Sequence, residues 1–215
     1  MPSVLVTGAG RGIGLEFARQ YAAEGWDVIA TARGPAPELE ALGARVEALD
    51  MRDFAAVQAF PDRLGGAPLD LLIANAGISA GPRIDSAAEA EDALATLAVN
   101  AVAPTLLARR LLPNLADGKM AAITSRMGSI ADSSGGYLGY RASKAALNAA
   151  WYGLSRETRV PLVLLHPGWV KTDMGGRSAP LDAAQSVAGM RRVIEALTPE
   201  RSGAFLDYRG DPIPW

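Results

Sequence analysis

The sequence predicts an α/β protein built on a doubly wound sheet of about seven mostly parallel strands, with helices on both faces. Three observations predict it. Short β-rich runs alternate with longer alanine-rich helical stretches along the whole chain. Most of the runs are almost continuously apolar rather than alternating, as strands covered on both faces must be. The first run also passes straight into a glycine-rich turn and then an amphipathic helix.

In chain order, the apolar runs place strands at residues 3–7, 27–31, 45–49, 69–74, 120–124, 161–165 and 204–207. Helical spacing places helices at 12–24, 53–64, 86–112, 140–156 and 182–197. Asp182 ahead of Ser186 and Val187 reads as a helix start, and Pro199 closes that helix. The glycine- and proline-rich stretches 65–68 and 175–180 read as loops. No repeat, low-complexity tract or linker interrupts the pattern, so residues 1–215 are expected to form one domain.

Composition narrows the function classes. With 215 residues, 49% of them hydrophobic and 20% charged, the chain can build a core without a staple. It has no cysteine, which excludes disulfides, a thiolate nucleophile and Cys-ligated zinc, and its single histidine, His166, forms no metal cluster. A net charge of −2 carries no footprint for nucleic acid. No apolar run approaches the roughly 18 residues needed to cross a bilayer. The chain enters a strand at once, without a basic leader, so a cytoplasmic location is expected.

The turn after the first strand reads Thr7-Gly8-Ala9-Gly10-Arg11-Gly12-Ile13-Gly14. Glycines there let backbone N–H groups approach a pyrophosphate, which a helix N-terminus attracts. The spacing differs from the usual dinucleotide fingerprint, and a plain turn would look similar. The second strand ends Ala30-Thr31-Ala32-Arg33, with an arginine where a carboxylate would read a free ribose 2′-hydroxyl. A guanidinium favours a 2′-phosphate, so NADP(H) is expected, with NAD(H) possible. Arg11 could add a second positive charge. Asp50, followed by Met51, is a candidate partner for the adenine amino group.

Tyr140 and Lys144 lie one helical turn apart. A tyrosine titrates near about 10 on its own, and a neighbouring ammonium would draw that value down toward use as a proton donor and acceptor. Tyr137 is nearby, but Arg141 stands four residues on. Ser125 closes the fifth strand, where a hydroxyl could hold a substrate oxygen; Ser129 is an alternative. Asn75-Ala76-Gly77 follows the fourth strand, Asn100 sits in the long helix, and Pro167-Gly168-Trp169-Val170-Lys171-Thr172 follows the sixth.

Taken in order, Thr7-Gly8-x-x-x-Gly12-x-Gly14, Asn75-Ala76-Gly77, Ser125, Tyr140-x-x-x-Lys144 and Pro167-Gly168 resemble the short-chain dehydrogenase/reductases. Residues 125–144, 166–176 and 211–215 most resemble the C-factor/sniffer-like branch. Ala74 departs from the family's Asn-Asn-Ala-Gly motif, and the interval from Ser125 to Tyr140 is longer than usual.

The resemblance implies a Rossmann-like fold and hydride transfer between a nicotinamide and a small carbonyl or alcohol substrate. It implies Tyr140 as acid/base, Ser125 orienting the substrate oxygen, Lys144 tuning the tyrosine and holding ribose, and Asn100 anchoring a water. Gly8, Gly10, Arg11, Gly12, Ile13, Gly14, Arg33, Asp50, Met51, Asn75, Ala76, Gly77, Tyr140, Lys144, Pro167, Gly168, Val170 and Thr172 would line the cofactor. A homodimer or homotetramer is the family's habit. His166 reads as structural, and Trp151, Trp169 and Trp215 as packing residues. The short stretch 173–181 suggests an open substrate site or one completed by a partner. The alternative function is a nucleotide-binding regulatory or cell-signalling protein with little turnover.

Overall fold

A computed structural model describes all 215 residues. Seven strands form one sheet in the order β3-β2-β1-β4-β5-β6-β7, and every neighbouring pair is parallel. They are β1 (Ser3–Val6), β2 (Asp27–Ala32), β3 (Arg45–Ala48), β4 (Leu71–Ala74), β5 (Lys119–Ile123), β6 (Leu162–His166) and β7 (Ala204–Asp207). All the predicted strands form, with ends shifted by one or two residues.

Alternate residues of every strand but the edge strand β3 feed two separate cores. Leu5, Leu72, Met120 and Leu164 point into a cluster of 27 buried residues, and Val4, Val6, Ile73, Ile123 and Leu165 into one of 23. The near-equal sizes explain why the runs read as continuously apolar: both sheet faces are covered. The first face carries α3 (Phe54–Ala59), α5 (Ala103–Leu111) and α6 (Leu138–Glu157). The second carries α1 (Gly12–Ala23), α2 (Pro37–Ala41) and α7 (Ala183–Glu195).

Three helical expectations need correction. The five-residue α2, started by Pro37 and anchored by buried Leu39, was not foreseen. The stretch 53–64 is α only to Ala59 and then tightens into a 3₁₀ turn, Phe60–Leu64. The single helix expected at 86–112 is α4 (Ala87–Leu97) and α5 joined by a π-helical segment, Ala98–Val102, with Asn100 at its centre. An added residue in a helical turn rotates the following side chains, and such bulges gather at functional sites.

Beyond β7 the chain doubles back along the sheet edge. Asp207 N donates to Asp211 O (2.8 Å), Ile213 N donates to Phe205 O (3.0 Å), and Leu206 bridges Pro212 in antiparallel sense. The Trp215 ring then packs on Tyr152 and Phe205, and its carbonyl accepts from Ala131 N at 2.9 Å.

Candidate active site

Strand order reverses between β1 and β4, the place where open parallel sheets hold ligands beyond their carboxyl ends. Thr7 Oγ1 accepts from the backbone N–H groups of Asn75 (3.0 Å) and Ala76 (3.1 Å). Asn75 Nδ2 donates in return to the carbonyls of Thr7 (2.9 Å) and Gly8 (3.1 Å). Gly8 N donates to Thr31 Oγ1 on β2 at 3.1 Å. Three strand ends are thereby stitched together, and the fit leaves no room for side chains. A Cβ at Gly8 would lie 2.8 Å from Ala76 Cα, and one at Gly14 would lie 2.6 Å from the Gly8 carbonyl oxygen. Gly10, by contrast, is exposed.

No side chain caps the N-terminus of α1 and no acid occupies its first turn. Its free N–H groups and dipole therefore suit an anion, so this cradle fits a dinucleotide pyrophosphate. Gly12 lies beneath Thr172, whose Cγ2 would be 3.3 Å from a Cβ there, and Ile13 packs against the second core.

The polar residues expected around the adenosine end are arranged unequally. Arg33 is exposed at the end of β2. Asp50 feels its charge but is held by Arg52 through Nη2 (2.7 Å) and Nε (3.1 Å), which together with the Arg52 N–H keep the carboxyl below its usual range. Met51 is buried in the first core. Arg11, expected as a second positive charge, instead pairs with Asp173 at 2.6 Å, tying the glycine turn to the loop after β6.

At the chemical end, Ser125 lies two residues past β5, its Oγ accepts from Met127 N at 3.1 Å, and its hydroxyl is close enough to the Tyr140 phenol on α6 to lower the phenol's pKa. Ser129, the alternative, is buried with its hydroxyl turned to the Asp132 N–H (3.0 Å). Tyr137 is half-exposed at the start of α6. Of the two serines, Ser125 is the one near enough to act on the Tyr140 phenol, while the Ser129 hydroxyl is taken up by Asp132. Lys144 is 4% exposed, its Nζ donating to Ile123 O (2.9 Å) and standing 5.8 Å from the centre of the Tyr140 ring. Burial pulls its pKa down to about 8.

Burial holds the Tyr140 phenol above its ordinary value, and the nearby Ser125 hydroxyl acts against it.

The π-helical turn aims Asn100 at the segment after β4. Its Oδ1 accepts from Ile78 N and its Nδ2 donates to Ile78 O, both at 2.8 Å, and Nδ2 also donates to Ser143 Oγ (3.0 Å). Ser143 Oγ in turn donates to Tyr140 O at 2.7 Å. A Cβ at Gly77 would be 3.2 Å from Asn100 Oδ1 and 3.7 Å from Lys144 Nζ, so a side chain there would crowd both groups.

The sequence assigns no role to Thr7, Thr31, Ser143 or Asn148, which the structure shows tying the site together. Asn148 accepts from Thr124 Oγ1 at 2.7 Å and stands one turn beyond Lys144, so the spacing 140, 144, 148 marks it.

The loop after β6 is self-supporting. Lys171 N donates to Leu181 O (2.9 Å), Trp169 Nε1 donates to Gly175 O (2.7 Å), and Gly175 N donates to Thr172 Oγ1 (3.0 Å). Pro167 is pinned through its carbonyl by Ser186 Oγ (2.6 Å), and Val170 is buried. Gly168 takes a left-handed φ of 83° and sits against Leu181 and Tyr208. Burial drives His166 down to about 4, so it is neutral at pH 7. Trp151 is fully buried, while Trp169 and Trp215 are about half-exposed.

This constellation has known counterparts. The family model for short chain dehydrogenase matches residues 2–181. C-signal of Myxococcus xanthus is 45% identical over 166 residues, 74% of this chain and all of that one. Among solved structures, the carbonyl reductase Sniffer of D. melanogaster superposes with a TM-score of 0.91 at 34% identity, covering both chains completely. An NADPH-bound carbonyl reductase from chicken fatty liver gives a TM-score of 0.88 at 37% identity, covering 100% of this chain and 99% of that one. The site's geometry and these likenesses agree: the chain belongs to the short-chain dehydrogenase family of oxidoreductases, in the branch of C-signal and the Sniffer-type reductases.

Proposed function

We propose that the protein is an NADP(H)-dependent carbonyl reductase acting on small or medium aldehydes and ketones. The observation that carries this reading is the Tyr140 phenol, close to the Ser125 hydroxyl and kept protonated by burial, with the Lys144 ammonium one turn below it, 5.8 Å from the ring centre. A neutral phenol at working pH is a proton donor, which suits reduction more than oxidation.

The glycine turn, Asn75–Gly77 and Arg33 would hold the cofactor's phosphate and adenosine parts; Pro167, Val170 and Thr172 would flank its nicotinamide, and Lys144 would meet the ribose. When bound, the cofactor supplies the hydride. Ser125 Oγ holds the carbonyl oxygen within reach of Tyr140, and Tyr140 passes its proton to that oxygen. Asn100 keeps the Ile78 segment and the first turn of α6 in register throughout. The NADPH-bound state of the chicken enzyme supports the choice of NADP(H) over NAD(H).

The test is titration with NADPH and NADH by nicotinamide fluorescence, followed by a panel of aldehydes, diketones and quinones. Selective NADPH binding with oxidation is expected. The likeness to C-signal favours one second reading, a cofactor-binding signalling protein with little turnover. Tight NADPH binding without turnover on any substrate would select it.

A further inference from the structure

The interval between Ser125 and Tyr140 contains a stretch that the hydrophobic core does not hold. Residues 130–138 are all exposed, and Cβ atoms at Gly135 and Gly136 would meet nothing within 4 Å. The stretch ends in Tyr137, the one non-glycine residue with positive φ (51°), a conformation that bulky side chains resist. Three residues later comes the tyrosine that must be placed most accurately.

One side chain reaches across this gap. Arg141 donates from Nε to the carbonyls of Gly135 (3.0 Å) and Gly136 (2.9 Å), from Nη2 to Ser134 Oγ (3.0 Å) and from Nη1 to Met127 O (3.5 Å). Met127 lies two residues beyond Ser125 and donates its N–H to Ser125 Oγ at 3.1 Å. A single planar fork thus ties the segment that fixes the Ser125 hydroxyl to the turn that launches the helix carrying Tyr140. All four acceptors are uncharged, so the fork's geometry rather than ion pairing makes the link.

We propose that Arg141 is a positioning residue: its guanidinium clamps the exposed turn 134–137 against the segment after Ser125 and thereby sets where Tyr140 stands relative to the Ser125 hydroxyl. This rests on the proposed reductase reading. Without the clamp, Tyr137 is free to leave its disfavoured conformation, the first turn of α6 loosens, and Tyr140 is no longer held in place relative to the Ser125 hydroxyl.

The experiment compares wild type with Arg141→Ala, Arg141→Lys, Tyr137→Gly and the double variant Arg141→Ala/Tyr137→Gly. In Arg141→Ala we expect kcat to fall between about tenfold and a hundredfold, as misplacement of a reacting group does, with NADPH affinity and thermal stability close to wild type. Guanidinium ion at low millimolar concentration should restore part of the rate. Arg141→Lys should behave as Ala does, because a point charge cannot span four acceptors. Tyr137→Gly, which removes the backbone strain, should recover part of the rate in the double variant.

Full activity in Arg141→Ala, or full rescue by Lys, would overturn the proposal. A second readout separates it from the reductase reading: the ultraviolet titration of the Tyr140 phenol, taken as the difference from Tyr140→Phe, together with hydrogen exchange across 127–139. Arg141→Ala should move the phenol upward and speed exchange at 134–139. If neither moves, the clamp is wrong whatever the turnover. If both move in a protein whose wild type reduces nothing, the clamp stands and the reductase reading falls.

Discussion

Replacing Lys144 with methionine should make the protein more stable while removing its activity. The ammonium is almost wholly buried, has one backbone carbonyl as its hydrogen-bond partner, and has had its pKa drawn from 10.5 to about 8 by burial alone. A gap of two to three pKa units between unfolded and folded chains corresponds to roughly 3 kcal/mol of destabilisation at neutral pH. Methionine has similar length and no charge to desolvate, and the lost hydrogen bond to Ile123 O costs about 1 kcal/mol. The net gain is about 2 kcal/mol at pH 7.

The pH dependence gives the sign a separate check. Below pH 8 the lysine is protonated in both states and its full penalty is present. Between 8 and 10.5 the unfolded chain binds the extra proton, so wild-type stability rises with pH and the advantage of Lys144→Met fades. Urea unfolding followed by tryptophan fluorescence at a series of pH values measures both. A methionine variant less stable than wild type at pH 7, or an advantage that does not shrink toward pH 10.5, would refute the reasoning.

Three further outcomes follow from the site. Arg33→Ala should weaken NADPH binding by about 10- to 100-fold, the loss of a charge-assisted contact, and leave NADH within about twofold; Asp50 is already held by Arg52, so Arg33 has no ion pair to break. Equal losses for both cofactors, read by fluorescence titration, would remove the 2′-phosphate from Arg33. Tyr140→Phe should abolish carbonyl reduction with NADPH affinity nearly unchanged, and retained turnover would mean another proton donor. Gly14→Ala puts a methyl 2.6 Å from the Gly8 carbonyl oxygen; it should cost about 1–3 kcal/mol in urea unfolding and weaken both cofactors alike.

What the sequence disclosed was whatever a local pattern carries. The glycine turn, the Tyr140–Lys144 step and the apolar strands each fit within one turn or one strand, so spacing alone exposes them. The π-helical segment was hidden because its extra residue brings no glycine and interrupts no apolar run; Pro104 comes only after it. Arg11 meeting Asp173 joins residues 162 apart, a partnership no window could contain. Asp50 and Met51 were placed by position in the fold, and neither the grip of Arg52 on the first nor the burial of the second is written in that position.

The doubled-back stretch after β7 restricts how copies of this chain can join. A bare edge strand offers a row of N–H and C=O groups on which another sheet can grow. Here the groups of Phe205 and Asp207 are already answered by Ile213 and Asp211. Two sheets therefore cannot merge into one continuous sheet along that edge without first peeling the stretch away. Peeling it would also withdraw the Trp215 carbonyl from Ala131, in the same exposed segment that Arg141 holds at its far end. Copies that associate at this end of the sheet while keeping this arrangement must meet through their helices or loops, and a partner that pried the edge open would be felt six residues from Ser125.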